Sequence, residues 1–352
     1  MSTNEVTRNL LAEHYKKYPE LHLQDIFKYI YQSSFGCEHM VPSLDAVTDY
    51  MRKEYENAVF SSELYDKLDG EYTRVHFSVL QQGLSINTFA KLFYLSAKKE
   101  ANGEKELENK LSAVRELISE NILKVSLSDF ENQAAQWKEN GYPAVHHSDV
   151  FRKVYSPAYR VIADEFVFFM PLFVQLDKML SCGCVVLAID GKCGGGKSTL
   201  GKMLEKVYDC TVLHMDDFFL RPEQRTPGRF AEVGGNVDRE RFLSEVLIPL
   251  SQNRPIDYRR FDCSSFEIKE TERIYPKKLT VIEGTYSMHP CLSDYYDLSV
   301  FIDISEEKQK KRIEKRNSPE MAVRFFNEWI PKENEYFREM NVKNRCSMAF
   351  DI

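Results

Sequence analysis

Residues 185–199 read VVLAIDGKCGGGKST. An apolar run ends in one carboxylate, Asp190, and a glycine-rich stretch with Lys192 and Lys197 follows at once. Consecutive glycines weaken any helix or strand, because glycine loses the most backbone freedom on ordering. Bare backbone does suit a loop whose N–H groups turn inward around phosphate oxygens. Gly191, Gly196, Lys197 and Ser198 satisfy the spacing G-x-x-x-x-G-K-[ST]. At average glycine usage, about 7%, a chance match is expected in roughly one per cent of chains this long. The context fits as well: a strand pattern precedes the loop and the amphipathic stretch GKSTLGKMLEKVY continues it. The helix N-terminus would add partial positive charge. Lys197 would reach the outer phosphates and Ser198 would ligate magnesium. The expected ATP-binding set is therefore Gly191, Gly194, Gly195, Gly196, Lys197, Ser198 and Thr199.

Downstream, short apolar strands alternate with polar helices. CTVLHMD, LTVIEG and LSVFIDI join CVVLAID as continuous apolar runs. Such runs, separated by helices, indicate a parallel sheet covered on both faces. In open sheets of this kind ligands sit beyond the carboxyl ends of the strands. CTVLHMDDFF ends there in Asp216 and Asp217, and LTVIEGTYS ends in Glu283. A carboxylate in the first position would take the proton of an attacking hydroxyl. Either aspartate also suits a turn or cap. Glu283 would hold magnesium, directly or through water.

DGKCGGGKST, MDDFF and VIEGTY, in this order and spacing, resemble the uridine kinase and phosphoribulokinase group of P-loop kinases. The resemblance covers residues 183 to 345. It implies that Asp216 is the catalytic base and that Glu283 is the acidic residue of the later E-G pair. Ser198, Glu283 and Asp216 are the candidate magnesium ligands. GGNVDRERF resembles the stretch that sets a carboxylate against the acceptor's hydroxyls, which makes Asp238 a candidate; a helix N-cap is the competing reading. FIDISEEKQKKRIEKRN resembles the strand and lid that close over ATP. Arg312 and Arg316 stand four apart, on one helix face, where two guanidiniums would neutralise a transferring phosphoryl group. Arg324 is a further phosphate candidate. The connection RPEQRTPGRFAEVGG is longer and more basic than the resemblance implies, and DYRRFDCSSFE brings Tyr258, Arg259 and Arg260 to the acceptor side. Asp238, Tyr258, Arg229 and Tyr286 are the candidate acceptor-binding residues.

The first half reads mainly as helices. LQDIFKYIYQSSF places Ile26, Ile30 and Tyr31 near one face, and ELENKLSAVRELISENIL does the same with Leu107, Leu111, Val114, Leu117 and Ile118. TRVHFSVL is β-like, and SPAYRV reads as an extended entry into a connecting helix. This half resembles an uncharacterised bacterial domain. His39, Arg74, His76, His146, His147 and Arg160 are candidates for a second site. The His146–His147 pair invites a metal, but adjacent side chains seldom face one way and no H-x-x-x-H or acidic cluster supports it.

The chain of 352 residues has room for two domains. The expected division is a helical domain over 1–165, a connector over 166–182 and an α/β P-loop kinase domain over 183–352. A net charge of −7 argues against general nucleic-acid binding. The eight cysteines show no zinc spacing, which favours a reduced chain. The N-terminus lacks an apolar core of the signal-peptide kind, and FVFFMPLFV is too short to span a bilayer. The expectation is a cytoplasmic ATP- and magnesium-dependent kinase acting on a hydroxyl of a small molecule. A nucleotide-dependent regulatory switch, or a second activity in the first half, are the alternatives.

Overall fold

A computed structural model describes residues 3–37, 41–97 and 103–352. Its contacts divide the chain into two units, Met1–Lys178 and Met179–Ile352.

The first unit is mainly helical. Thr3–Lys17, Leu23–Phe35, Leu44–Tyr55, Ile86–Ala97, Gly103–Ser119 and Leu127–Glu139 are its longer helices within that range. Burial follows the apolar periodicity: Ile26, Ile30, Leu107, Val114 and Leu117 are all enclosed. The helices enclose a three-stranded antiparallel sheet, in the order β1 (Tyr65–Lys67), β2 (Tyr72–His76), β3 (Tyr159–Ala163). SPAYRV is extended and leads into a helix, Asp164–Phe168, as expected, but it is also a strand of this sheet. Tyr159–Ala163 forms a ladder with β2, whose five residues are all buried and need partners on both edges.

The second unit is an α/β layer structure. Its strands are β4 (Val185–Gly191), β5 (Cys210–His214), β6 (Ile256–Tyr258), β7 (Phe261–Asp262), β8 (Glu267–Ile268), β9 (Glu272–Ile274), β10 (Leu279–Glu283), β11 (Leu298–Asp303) and β12 (Met348–Asp351). Five of them make one parallel sheet in the order β12-β11-β4-β10-β5. β10 is buried along its whole length, as a central parallel strand covered on both faces should be. β6 pairs with β9, and β7 with β8, as two small antiparallel ladders. The core under the sheet gathers Leu213, Phe218, Phe242, Ile282 and Tyr336.

β10 and β11 flank β4 on opposite sides, so the turn after β4 opens where the strand order diverges. Register then fixes the neighbours: Glu283 lies opposite Ile189 on one side and His214 on the other. The glycine-rich loop and both later carboxylates therefore leave the sheet at one edge. Among the described residues no helix is long and apolar enough to cross a membrane. All eight cysteines are free thiols.

Candidate active site

The loop begins at Gly191, whose φ of 142° suits glycine. A Cβ there would stand 2.1 Å from the carbonyl oxygen of Ile302, on the neighbouring β11. Gly194 and Gly196 also have positive φ, 73° and 103°. Gly196 caps the helix Lys197–Val207 with no side-chain bond to its first amides. Those amides are left open for a ligand, as helix N-termini that bind anions require.

Lys197 is buried at the foot of this loop. Its Nζ donates to the Gly191 carbonyl (2.6 Å), the Lys192 carbonyl (3.2 Å) and Thr285 Oγ1 (3.1 Å). These three partners are neutral, and the carboxylates of Asp190, Asp216, Glu283 and Glu333 lie within electrostatic reach of the side chain. Lys192 instead pairs with Asp303 at 2.8 Å.

Asp190, the last acidic residue of β4, is fully buried. It accepts from the Gly191 amide (2.7 Å), the Met288 amide (2.9 Å) and the Tyr336 hydroxyl (2.8 Å). Burial raises its pKa, against the opposing hydrogen bond from Met288 and the charge of Lys197. Glu333 is a second carboxylate under the loop: it accepts from the Cys193 amide at 3.0 Å, and burial raises its pKa too. Sequence reasoning missed both as loop supports. Their partners lie up to 146 positions away, so no local pattern reveals them. The only available signal is Glu333 and Tyr336 at i,i+3 spacing on one helix face.

At the other edge, His214 Nδ1 bonds Glu283 Oε1 at 2.6 Å. Burial alone would raise the Glu283 pKa; hydrogen bonds from His214 and Ser198 outweigh it and lower the carboxyl. The same contact raises the His214 pKa. Ser198 and Glu283 thus meet, while Ser198 and Thr199 are exposed at the start of the helix. Asp216 is solvent-exposed yet crowded by protein. The resulting desolvation raises its pKa, Lys197 opposes the rise, and the Glu283 charge adds to it. Asp217 takes a structural bond instead: the Tyr258 hydroxyl donates to it at 2.7 Å, and Arg260 Nε lies 3.8 Å away.

The basic lid residues part company. Arg312 donates to the Gly194 carbonyl at 3.0 Å, on the loop itself. Arg316 packs over the Phe325 ring at 5.8 Å, and Arg324 pairs with Glu328 at 3.5 Å. The structure therefore brings only Arg312 onto the loop. On the acceptor side, Asp238 is buried and occupied: it caps its helix through the Arg241 amide (3.1 Å) and accepts from Gln224 (2.8 Å). Arg229 makes a fork to Glu240, at 2.8 Å through each of two nitrogens. Tyr286, buried with φ of 76°, receives a bond from Asn236 at 3.2 Å. Arg259 pairs with Glu245. The partners of Asp238, Arg229, Tyr286 and Tyr258 are protein groups that shape this connection.

In the first unit, His39 lies outside the described residues. His147 is buried and bonds Asp25 (2.8 Å) and Tyr159 (2.6 Å), whereas His146 is exposed. Arg160 pairs with Glu54 at 2.6 Å. Among the described residues no group of three or more His, Cys, Asp or Glu side chains is arranged to hold a metal. That leaves no all-protein cage. Ser198 with Glu283 suits magnesium, which uses one or two protein oxygens plus phosphate and water. The loop, its open amides and Lys197 fit a nucleotide polyphosphate.

No family model matches the chain. Nicotinamide riboside kinase 2 of Mus musculus is 28% identical over 165 residues, which are 44% of this chain and 81% of that protein. The Homo sapiens protein of the same name is 28% identical over 165 residues, 44% of this chain and 69% of its own. A solved possible uridine kinase from Bacillus stearothermophilus is 19% identical, with a TM-score of 0.39, over 51% of this chain and all of its own. The second unit is similar to uridine kinase-like P-loop kinases. These relatives support a small-molecule kinase.

Proposed function

We propose that the second unit transfers the γ-phosphoryl group of ATP to a ribosyl or related hydroxyl of a nucleoside-like small molecule. The observation that carries this reading is convergence. Lys197, Ser198, Asp216 and Glu283 leave three adjacent parallel strands at one sheet edge, beside a loop with open amides. A nucleoside acceptor is favoured by the relatives, whose names specify a riboside.

In this reading the loop amides and Lys197 hold the β- and γ-phosphates. Ser198 and Glu283 would hold magnesium, which when bound neutralises charge on the phosphate oxygens. Asp216 orients the acceptor hydroxyl and takes its proton. Its raised pKa suits the task, since a stronger base is a better proton acceptor as long as it stays ionised at working pH. Arg312, already on the loop, offers its guanidinium to the charge that develops on transfer. Asp190 and Glu333 act indirectly, by fixing the loop backbone through Gly191 and Cys193.

The base assignment is tested by comparing Asp216→Asn with Asp217→Asn. Asp216→Asn should slow acceptor-dependent ADP formation by about 10²–10⁴ with ATP affinity kept, the usual worth of a positioned base. Asp217→Asn should weaken folding through Tyr258 and leave most of the rate. The reverse pattern would move the base to Asp217. No rate loss in either variant would favour the nucleotide-switch alternative.

A further inference from the structure

The first unit holds a cavity of about 260 Å³ that the kinase reading does not use. Arg74, on β2, is one of its walls and is only 1% exposed. Its Nε donates to Gln32 at 2.9 Å, and its Nη1 contacts His14 Nε2 at 3.0 Å. Burial and the Arg74 charge push the His14 pKa well down, so the ring is neutral and Nε2 accepts. Nη2 is buried without a hydrogen-bond partner. The guanidinium is further fixed over the rings of Tyr29 (5.6 Å) and Tyr159 (4.8 Å). None of its hydrogen bonds goes to a carboxylate.

The nearby carboxylate, Asp66, is spent elsewhere. It accepts from Lys17, from Tyr18 (2.7 Å) and from His76 (3.0 Å). A buried guanidinium nitrogen without an acceptor costs on the order of 1–3 kcal/mol or more. Such groups are uncommon in native interiors, and a bound ion or ordered water is one explanation for them. The lining also has apolar residues beside the polar Ser61, Ser62 and Glu63, and two of them are exposed: Val59 at 62% and Phe60 at 38%. Pro157 and Ala158 are further apolar lining residues.

We propose that this cavity is a binding site for a compact organic carboxylate with an apolar or aromatic body. One carboxylate oxygen accepts from Arg74 Nη2, and the body rests against Phe60 and Val59. The balance of charged groups sets the anion class. Lys17, Glu63 and Asp66 also line the cavity and are paired with one another. Among the described residues this leaves Arg74 Nη2 as the one cationic nitrogen of the lining without a hydrogen bond, which suits an end-on monoanion. A phosphate dianion would need several donors, as phosphate sites ordinarily supply. The volume lies below the ~300–1,000 Å³ usual for drug-sized ligands, so the molecule is small.

The experiment is ligand-observed NMR titration of the full chain with benzoate, phenylacetate, hexanoate, phenyl phosphate and benzyl alcohol. Saturable binding of at least one carboxylate, tighter than phenyl phosphate and benzyl alcohol, is expected. Arg74→Gln should weaken it at least about tenfold, since a charged hydrogen bond is lost. Because Arg74 is buried, Val59→Asp at the exposed lip is the second variant, and it should weaken carboxylates while leaving the fold intact. No saturable carboxylate binding, or binding unchanged in Val59→Asp, would overturn the proposal. Tighter binding of phenyl phosphate would overturn the choice of anion.

Discussion

Gly191 shows most sharply what a single residue contributes. Its φ of 142° and the 2.1 Å that a Cβ would leave to the Ile302 carbonyl bar any larger side chain. Gly191→Ala should destabilise the second unit by on the order of 3 kcal/mol or more, from backbone strain plus the clash. A denaturant midpoint equal to the parent's would contradict this. Lys197 and Ser198 were legible in the sequence because the chemistry of phosphate binding demands them at fixed spacing from glycine. Asp190 and Glu333 were not, because each acts on the loop through a fold that brings distant segments together. Asp238 was ambiguous from sequence. Its bonds to the Arg241 amide and to Gln224 are those of a cap, and capping needs no ligand.

At the scale of the element, the helix Glu306–Arg316 divides its arginines. Four residues put Arg312 and Arg316 on one face, but one turn advances about 5.4 Å along the axis. Arg312 therefore meets the Gly194 carbonyl, and Arg316 passes beyond it to Phe325. Arg312→Ala should lower kcat more than it raises KM for ATP, because the group acts mainly on developing charge. Arg316→Ala should cost much less. Steady-state kinetics of the two variants check this, and equal losses would contradict the division. Four of the five parallel strands stood out as apolar runs. The fifth, Met348–Asp351, is short and has only Phe350 buried, so periodicity gave it no signal. Likewise Tyr159–Ala163 became a strand because β2 needed a second partner, a reason that lies outside its own residues.

For the molecule as a whole, acid stability differs between the units. In the first, His14 and His147 are buried and their pKa values lie below the ordinary value near 6.5, that of His147 at about 3. Burial is the main cause in both. The folded form thus binds fewer protons than the unfolded chain. This stability is fully present above pH 6.5 and falls as the pH drops towards the folded-state values. Each histidine contributes a slope of about 1.4 kcal/mol per pH unit in that window. In the second unit burial lowers His289 to about 4, in the same sense, but the raised carboxyls Asp190 and Glu333 act in the opposite one. The two tryptophans, Trp137 and Trp329, fall one to each unit. In a Trp329→Phe chain, fluorescence should report a lower denaturant midpoint for the first unit at pH 5 than at pH 7.5. A midpoint independent of pH would contradict the buried, neutral histidines.

The central claim is phosphoryl transfer to a hydroxyl of a small molecule, and product analysis tests it most directly. The full chain, ATP and magnesium are incubated with a panel of nucleosides that includes nicotinamide riboside, and products are read by mass spectrometry. The account predicts that at least one nucleoside gains one phosphoryl group, with an equal amount of ADP, and that Lys197→Ala abolishes the reaction. ADP formed at the same rate with and without every nucleoside, and no phosphorylated product, would contradict it.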